Sequence, residues 1–314
     1  MKRSLCLMLV VLSACEPVLV EPDVDAGMVD AGPVEPSAPV RVRVATFNVK
    51  LFFDTVCQSG SCTSADFEAV PTATQFEARA DQIAQAITSL EADVIALEEF
   101  ETQTCLDAVL TRLANVMPHG VLGEIGTPGS VDVAIVSRTP LDGVVGHRNL
   151  ERLTRPDGSR TNFSREFLEA HTVTASGAKV VLFAAHFRSK VQDDPGRRLA
   201  EAQTARRIVQ DSAAVNGDAL VVLGGDLNDT PGSAPLDALM LDGGLIRAAA
   251  DLPAADQVTY LFFSSGEVID HVLQAKTPAA SVVPRSARVW KNGRGWGGSD
   301  HFALTADFDV TPRR

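Results

Sequence analysis

The 314-residue chain carries 28 Lys and Arg against 40 Asp and Glu, a formal charge of -12. Apolar residues make up 45% of it, enough for a substantial core, so disorder throughout is excluded. The acidic balance argues against the broad basic face of a simple nucleic-acid-binding module, but it is compatible with an enzyme whose carboxylates hold a divalent cation.

The first segment reads as an export signal. Lys2 and Arg3 precede an apolar run over 5–12 that is too short to span a bilayer, and Ser13 and Ala14 lead into Cys15. Leu12-Ser13-Ala14-Cys15 resembles the bacterial lipobox, which implies cleavage before Cys15 and a lipid anchor on that cysteine. The expected organisation is a signal peptide over 1–14, then lipidated Cys15 and a disordered Pro-, Ala-, Val- and Asp-rich tether over 15–40. A catalytic domain follows over 41–314. Such a protein is exported, faces the periplasm or the cell surface, and meets the membrane only through its lipid. An ordinary secretory signal with a chance cysteine is the alternative.

Short β-branched runs predict strands over 42–49, 93–97, 131–136, 168–174, 180–185, 219–223, 268–273 and 302–308. Between them, Phe76, Ile83, Ile87 and Leu90 share one helical face. Similar stripes run through Leu106, Val109, Leu110 and Leu113, and through Leu199, Ala202, Ala205, Ile208 and Val209. Two sheets covered by helices on the outside bury both kinds of face, so the class is α/β. Cys57 and Cys62 flank Gln58-Ser59-Gly60-Ser61, a spacing that suits a small disulfide loop in an oxidising compartment and is poor for zinc. Cys105 falls in a predicted helix as a buried small hydrophobe.

Several strands end in polar residues that a strand does not require: Asn48, Glu99, His186 and Asp226. Strand mouths are where a rigid scaffold exposes chemistry. The densest segment is 221–231, where an apolar strand reaches Gly224-Gly225, expected to turn the backbone tightly, before Asp226 and Asn228. Extended alternation points Asp226 and Asn228 the same way, suited to polarising one water, although Asp, Asn, Gly and Pro also make ordinary turns. Ser299-Asp300-His301 offers a metal ligand and a base, and Asp270 could fix the His301 tautomer by accepting a hydrogen bond. Glu98 and Glu99 face opposite sides by alternation, so one of them enters a site, where a hard cation such as Mg2+ needs one or two carboxylates.

Ala45-Thr46-Phe47-Asn48, the run 93–99, Arg165-Glu166, His186, Gly225-Asp226-Leu227-Asn228, Ile269-Asp270-His271 and Ser299-Asp300-His301 resemble the successive motifs of the endonuclease/exonuclease/phosphatase superfamily, in order, over 41–309. The resemblance implies the deoxyribonuclease-I-like fold: a four-layer α/β sandwich of two mostly antiparallel sheets flanked by helices. It implies Glu99 as principal ligand of Mg2+, or of Mn2+ or Ca2+, with Asn48 and Asp300 beside it. Asp226 and Asn228 then orient or activate the attacking water. His301, held by Asp270, acts as base or touches the scissile phosphate, which His186 and Arg165 also contact. Glu98 departs from the usual glutamine, and His271 from a common aromatic. The stretch 185–190 resembles the His-Phe-Lys-Ser-Lys run of bacterial extracellular members, with Arg188 and Lys190 as further phosphate contacts. Arg197 and Arg198 extend that basic run, while Trp290 and Trp296 either stack on a base or pack their loop. The expected activity is phosphodiester hydrolysis of DNA or RNA by a monomeric lipoprotein. The alternatives are a phosphatase or phospholipase C-type enzyme acting on inositol phosphate or sphingomyelin, and a non-catalytic binding protein.

Overall fold

The computed structural model describes residues 38–262, 265–291 and 296–312. The predicted signal peptide, Cys15 and nearly all of the tether lie outside the described residues. In chain order the elements begin with β1 (Val40–Phe52), α1 (Ala73–Leu90), β2 (Val94–Phe100), α2 (Gln103–Arg112), β3 (His119–Gly123) and β4 (Asp132–Ser137). Next come β5 (Leu141–Gly146), the small hairpin β6 (Leu153–Thr154) and β7 (Arg160–Thr161), β8 (Leu168–Val173), β9 (Lys179–His186) and α3 (Pro195–Val215). The chain continues through β10 (Ala219–Asp226), α4 (Ala234–Met240), β11 (Leu245–Arg247) and the hairpin β12 (Tyr260–Phe262) with β13 (Ser265–Glu267). It closes with β14 (Asp270–Ala275), β15 (Ala280–Val282), β16 (Arg288–Val289) and β17 (Leu304–Val310).

One sheet has the order β15-β17-β1-β2-β4-β3, with β16 on β17, and the other β11-β14-β10-β9-β8-β5. β1 runs parallel to β2 and β9 to β10. The other pairs in the two sheets are antiparallel. Alternation along the strands produces three apolar layers. Val42, Val44, Val94, Ala96, Leu182, Leu220, Val222 and Val272 pack between the sheets. Phe47, Ile95 and Leu97 face α1 and α2, whereas Phe183, Val221 and Leu223 face α3 and α4. The result is the expected four-layer sandwich. Each Val, Leu, Ile or Phe so buried stabilises by about 1.5–3 kcal/mol relative to exposure.

Local chemistry fixes the helix starts. Thr72 and Gln75 form a reciprocal capping box ahead of α1, and Asp194 accepts from the Arg197 amide at 2.9 Å, with Pro195 in the first turn of α3. The short strands β3, β5, β11 and β15 go beyond the predicted set. β3 and β5 carry glycines, and β11 and β15 are three residues each, so none shows a sustained alternation. Gly224 and Gly225 are not a turn, contrary to expectation: both lie within β10, which stays paired on both sides as far as Asp226. Cys57 and Cys62 are joined as a disulfide, with Cα atoms 5.8 Å apart. Cys105 is buried, and burial pushes its thiol up to about 12. Trp290 and Trp296 stack on each other and pack against the α1 and α2 side of the core, so the packing reading holds for both. Among the described residues no helix is long and apolar enough to cross a membrane.

Candidate functional site

The same alternation that builds the central layer builds the site. Even-numbered residues of β1, β2, β9 and β10 face the opposite sheet, and Asn48, Glu98, His186 and Asp226 occupy those positions at the carboxyl ends of the strands. β14 runs antiparallel to β10, so its first residue, Asp270, pairs with Asp226 at that same end. His301 arrives just before β17, which runs antiparallel to β1. Six polar side chains separated by up to 253 positions thus meet where the two sheets open.

Asp226 is the centre of the cluster. Its Oδ2 accepts from Asn48 Nδ2 at 3.1 Å and lies 3.6 Å from His186 Nε2 and 3.9 Å from His301 Nε2. Its Oδ1 accepts from the Asn228 amide at 2.9 Å. His301 Nδ1 sits 3.1 and 2.9 Å from the two oxygens of Asp270, leaving Nε2 turned toward Asp226. Asn48 Nδ2 also donates to Glu99 Oε1 at 3.0 Å, and Glu99 Oε2 accepts from the Leu51 amide at 2.7 Å. Ser299 Oγ donates to the Asn48 carbonyl at 2.7 Å and accepts from the His301 amide at 3.0 Å, tying the last motif to the first.

The alternation argument for the paired glutamates needs correction. A bulge between Glu98 and Phe100 and a left-handed φ of 72° at Glu99 turn both carboxylates toward this region. Glu98 lies buried below the site, bonded through Oε1 to Thr46 Oγ1 at 3.0 Å, while its Oε2 has no partner. Burial, with Asp270 and Asp226 nearby, holds its carboxyl well above the usual range. Lys50, Leu51 and Asn228 join Glu99 in the left-handed region, at φ values of 62°, 42° and 53°. Such conformations cost about 1–3 kcal/mol each and gather where function demands a particular geometry.

Burial, and after it the crowding of carboxylates, dominates the electrostatics. Burial and then Asp270 push the Asp226 carboxyl up to about 7. Burial alone would lower His301, but Asp270, Asp226 and Glu99 together raise it to about 10. Burial, reinforced by Arg165, keeps His186 neutral well below its ordinary value. Asp226, Asp270 and His301 offer ligand atoms within 4.8 Å of one another, with Asn48 bonded to Asp226 and Glu99 adjoining through Asn48. Oxygen donors and imidazole without thiolate are the set a hard divalent cation takes, and its charge would relieve the repulsion that lifts Asp226. The residues therefore fit such an ion.

The remaining expected site residues are placed less centrally. Asp300 pairs with Lys50 at 2.6 Å on the rim. Arg165 lies close enough to His186 to influence it and donates from Nε to the Val131 carbonyl at 3.3 Å. Asn228 donates from Nδ2 to the Phe187 carbonyl at 3.2 Å. Arg188 bonds the Gln192 carbonyl at 2.9 Å, and Lys190 pairs with Glu267 at 2.9 Å, so neither touches the cluster. Arg198, grouped with that basic run, is buried against Asp229 and Asp193 and braces the loop after Asp226. His271 does likewise, its Nε2 2.9 Å from the Asp229 carbonyl.

Two residues at the site escaped the sequence reasoning. Glu201 on α3 accepts from the amides of Ser164 and Arg188, each at 2.7 Å, and so braces the segments carrying Arg165 and Arg188. A buried glutamate in a helical stripe gives no sign of this by spacing. Tyr260 lays its ring against His301, with centroids 4.7 Å apart. Its position ten residues before Asp270 was the available signal.

The family model described as Endonuclease/Exonuclease/phosphatase family matches residues 45–301. Among solved structures, truncated TDP2 of Caenorhabditis elegans is 16% identical over 86% of this chain and 98% of that one, with a TM-score of 0.60. The human Nocturnin catalytic domain with bound sulfate anion is 19% identical over 86% and 95%, also at 0.60. D. rerio TDP2 complexed with single strand DNA product is 16% identical over 86% and 99%, at 0.57. At these identities the likeness carries the fold. No curated protein matches the chain.

Proposed function

Because the chain belongs to the Endonuclease/Exonuclease/phosphatase family, we propose that it hydrolyses phosphodiester bonds with a divalent cation, most readily Mg2+ with Mn2+ or Ca2+ as substitutes, and that nucleic acid is its substrate. The observation that carries this reading is the convergence of Asn48, His186 and His301 on one oxygen of Asp226. Hydrolysis needs a positioned water, charge neutralisation on the non-bridging oxygens and help for the leaving oxygen.

Asp226, accepting from Asn48 and from the Asn228 amide, is oriented to hold the attacking water and take its proton. His301, fixed through Nδ1 by Asp270, presents Nε2 as a charged donor to the phosphate rather than as a base, since its surroundings favour the imidazolium. His186 faces the same space as a neutral imidazole, with Arg165 beside it for the phosphate charge. Glu99 and Asn48, with Asp226 beside Asn48 and Asp300 exchanging Lys50 for the metal, would hold the cation, which would polarise the phosphoryl oxygens. The D. rerio TDP2 complex holds a DNA product on this fold, which supports the nucleic-acid arm. Arg188 and Lys190 would reach a phosphate backbone beyond the cleavage point, with Lys190 exchanging Glu267 for phosphate. Residues 41–314 form the catalytic domain in this reading, exported and anchored through Cys15.

The test is hydrolysis of plasmid DNA, RNA, sphingomyelin and a bis-aryl phosphate with each cation, using wild type, Asp226→Asn and His301→Ala. Cleavage of DNA or RNA that each substitution lowers about 100-fold or more, with circular dichroism unchanged, supports the assignment. Cleavage of sphingomyelin alone would reject the nucleic-acid arm, and near-wild-type rates in either variant would reject the roles.

A further inference from the structure

The chain has one tyrosine, and it stands at the site. The backbone around Tyr260 is tied to both members of the His301–Asp270 pair. Thr259 Oγ1 accepts from the Asp270 amide at 3.1 Å, the Thr259 carbonyl accepts from the Phe302 amide at 2.6 Å, and Tyr260 forms a β-bridge with His301. The ring planes of Tyr260 and His301 meet at 39°. The phenol is raised above its ordinary value by partial burial and then by Asp300, Glu267, Asp226 and Glu99, so the ring lies within the field of the carboxylate cluster. Among the described residues its hydroxyl has no hydrogen-bond partner.

A group that only packed against His301 would be served by phenylalanine, of which the chain has 14. A hydroxyl on a ring laid against the His301 imidazole, with no protein partner among the described residues, is a donor open to a bound anion. Resting on the phosphodiesterase reading above, we propose that Tyr260 is a catalytic residue whose hydroxyl donates to a non-bridging oxygen of the scissile phosphate, next to the oxygen that His301 Nε2 contacts, while its ring keeps the imidazole seated against Asp270. The ligand class is thus a phosphodiester oxyanion held between two ring-borne donors on one side and the Asp226 water on the other.

Tyr260→Phe keeps the ring and removes the donor. With wild type cleaving DNA under divalent metal, kcat/KM of Tyr260→Phe falls about 10- to 100-fold, the range for one hydrogen bond to a charged group. Its melting temperature stays unchanged. The penalty for replacing one non-bridging oxygen of the scissile phosphate by sulfur shrinks in the variant, because a contact already missing cannot be lost again. A purely structural role would leave that sulfur penalty untouched. Tyr260→Ala, which also frees the imidazole, falls further and alters the pH profile. A Tyr260→Phe enzyme with wild-type kcat/KM and wild-type sulfur discrimination overturns the proposal while leaving the phosphodiesterase reading standing. A wild-type protein that cleaves no phosphodiester with any of the cations overturns both.

Discussion

Gly225→Ala is a severe test of how β10 delivers Asp226. Gly225 pairs with Ala185 of β9, and its φ of 157° is one that side-chain-bearing residues rarely adopt. A Cβ there would stand 2.0 Å from the Ala185 carbonyl oxygen, 2.8 Å from its carbon and 3.0 Å from its nitrogen. These are backbone atoms of a paired strand, so no rotamer change relieves the clash. Overpacking costs about 1–3 kcal/mol, the backbone conformation a further 1–3 kcal/mol or so, and each ladder bond opened about 1 kcal/mol. The sum with one ladder bond opened, on the order of 3–7 kcal/mol, is a large share of the roughly 5–15 kcal/mol that holds a domain folded. Gly224→Ala is the matched control. Its Cβ would meet the Ala96 and Thr46 Cβ atoms at 3.2 and 3.6 Å, contacts that a shift of a few tenths of an ångström between the sheets relieves, for about 1–2 kcal/mol. Urea unfolding of the three proteins gives both differences. A Gly225→Ala protein within 1 kcal/mol or so of wild type, or one more stable than Gly224→Ala, would refute the argument.

Glu169 bridges His147 and His171 at 2.8 Å each. Although burial opposes it, the hydrogen bonds of the two histidines lower Glu169 from 4.5 to about 2, and Glu169 raises His171 above 6.5. The stabilisation from Glu169 is complete above its unfolded value of 4.5 and fades as pH falls toward 2, whereas that from His171 is complete below 6.5 and fades as pH rises through its folded value. The difference in unfolding free energy between wild type and Glu169→Gln should therefore peak between pH 4.5 and 6.5, at about 2 kcal/mol after discounting for solvent screening. A difference that does not vary with pH contradicts it. Glu201→Ala leaves the Ser164 and Arg188 amides without their acceptor and should raise KM for nucleic acid about tenfold with a smaller effect on kcat, because Arg165 and Arg188 lose their bracing. Steady-state kinetics with unchanged KM would count against it. Added Mg2+ should raise the melting temperature of wild type and do so less in Asp226→Asn, since the cation relieves the repulsion around Asp226; equal shifts in the two would deny the site. Arg188→Ala with Lys190→Ala should flatten the salt dependence of KM on DNA, and an unchanged slope would remove both from the substrate path.

The central strands were legible because they alternate or run apolar for at least four residues, and because their inward positions end abruptly in Asn48, Glu98, His186 and Asp226. The meeting of Asp270 with His301 was legible for the same reason: an isolated carboxylate at a strand start invites a partner. What periodicity could not supply was any departure from it. Glu98 and Glu99 were read on an ideal strand, and a bulge with a left-handed residue overturned that reading. Gly224-Gly225 was read as a turn because glycine permits one, whereas here it permits contact between paired backbones. Lys190 was read as a phosphate contact, and sequence does not reveal that Glu267, 77 positions away, pairs with it. Tyr260 offered only its place ten residues before Asp270, and Glu201 reaches Ser164 and Arg188, 37 and 13 positions away, with nothing local to announce it.

The bond between Ser299 and Asn48 spans 251 positions, and β17 pairs with β1 along its length. Most of the polypeptide must therefore be made before its first strand acquires that partner. A ribosome-bound or truncated chain that stops short of residue 299 can pair β1 with β2 and β9 with β10, but it has no His301 to face Asp226 and no Ser299 to fix Asn48. Loop closure of this length is slow and comes late in folding. The producing cell is accordingly spared hydrolytic activity from incomplete chains, and a protease that clips the final strand would silence the molecule without reaching the buried carboxylates.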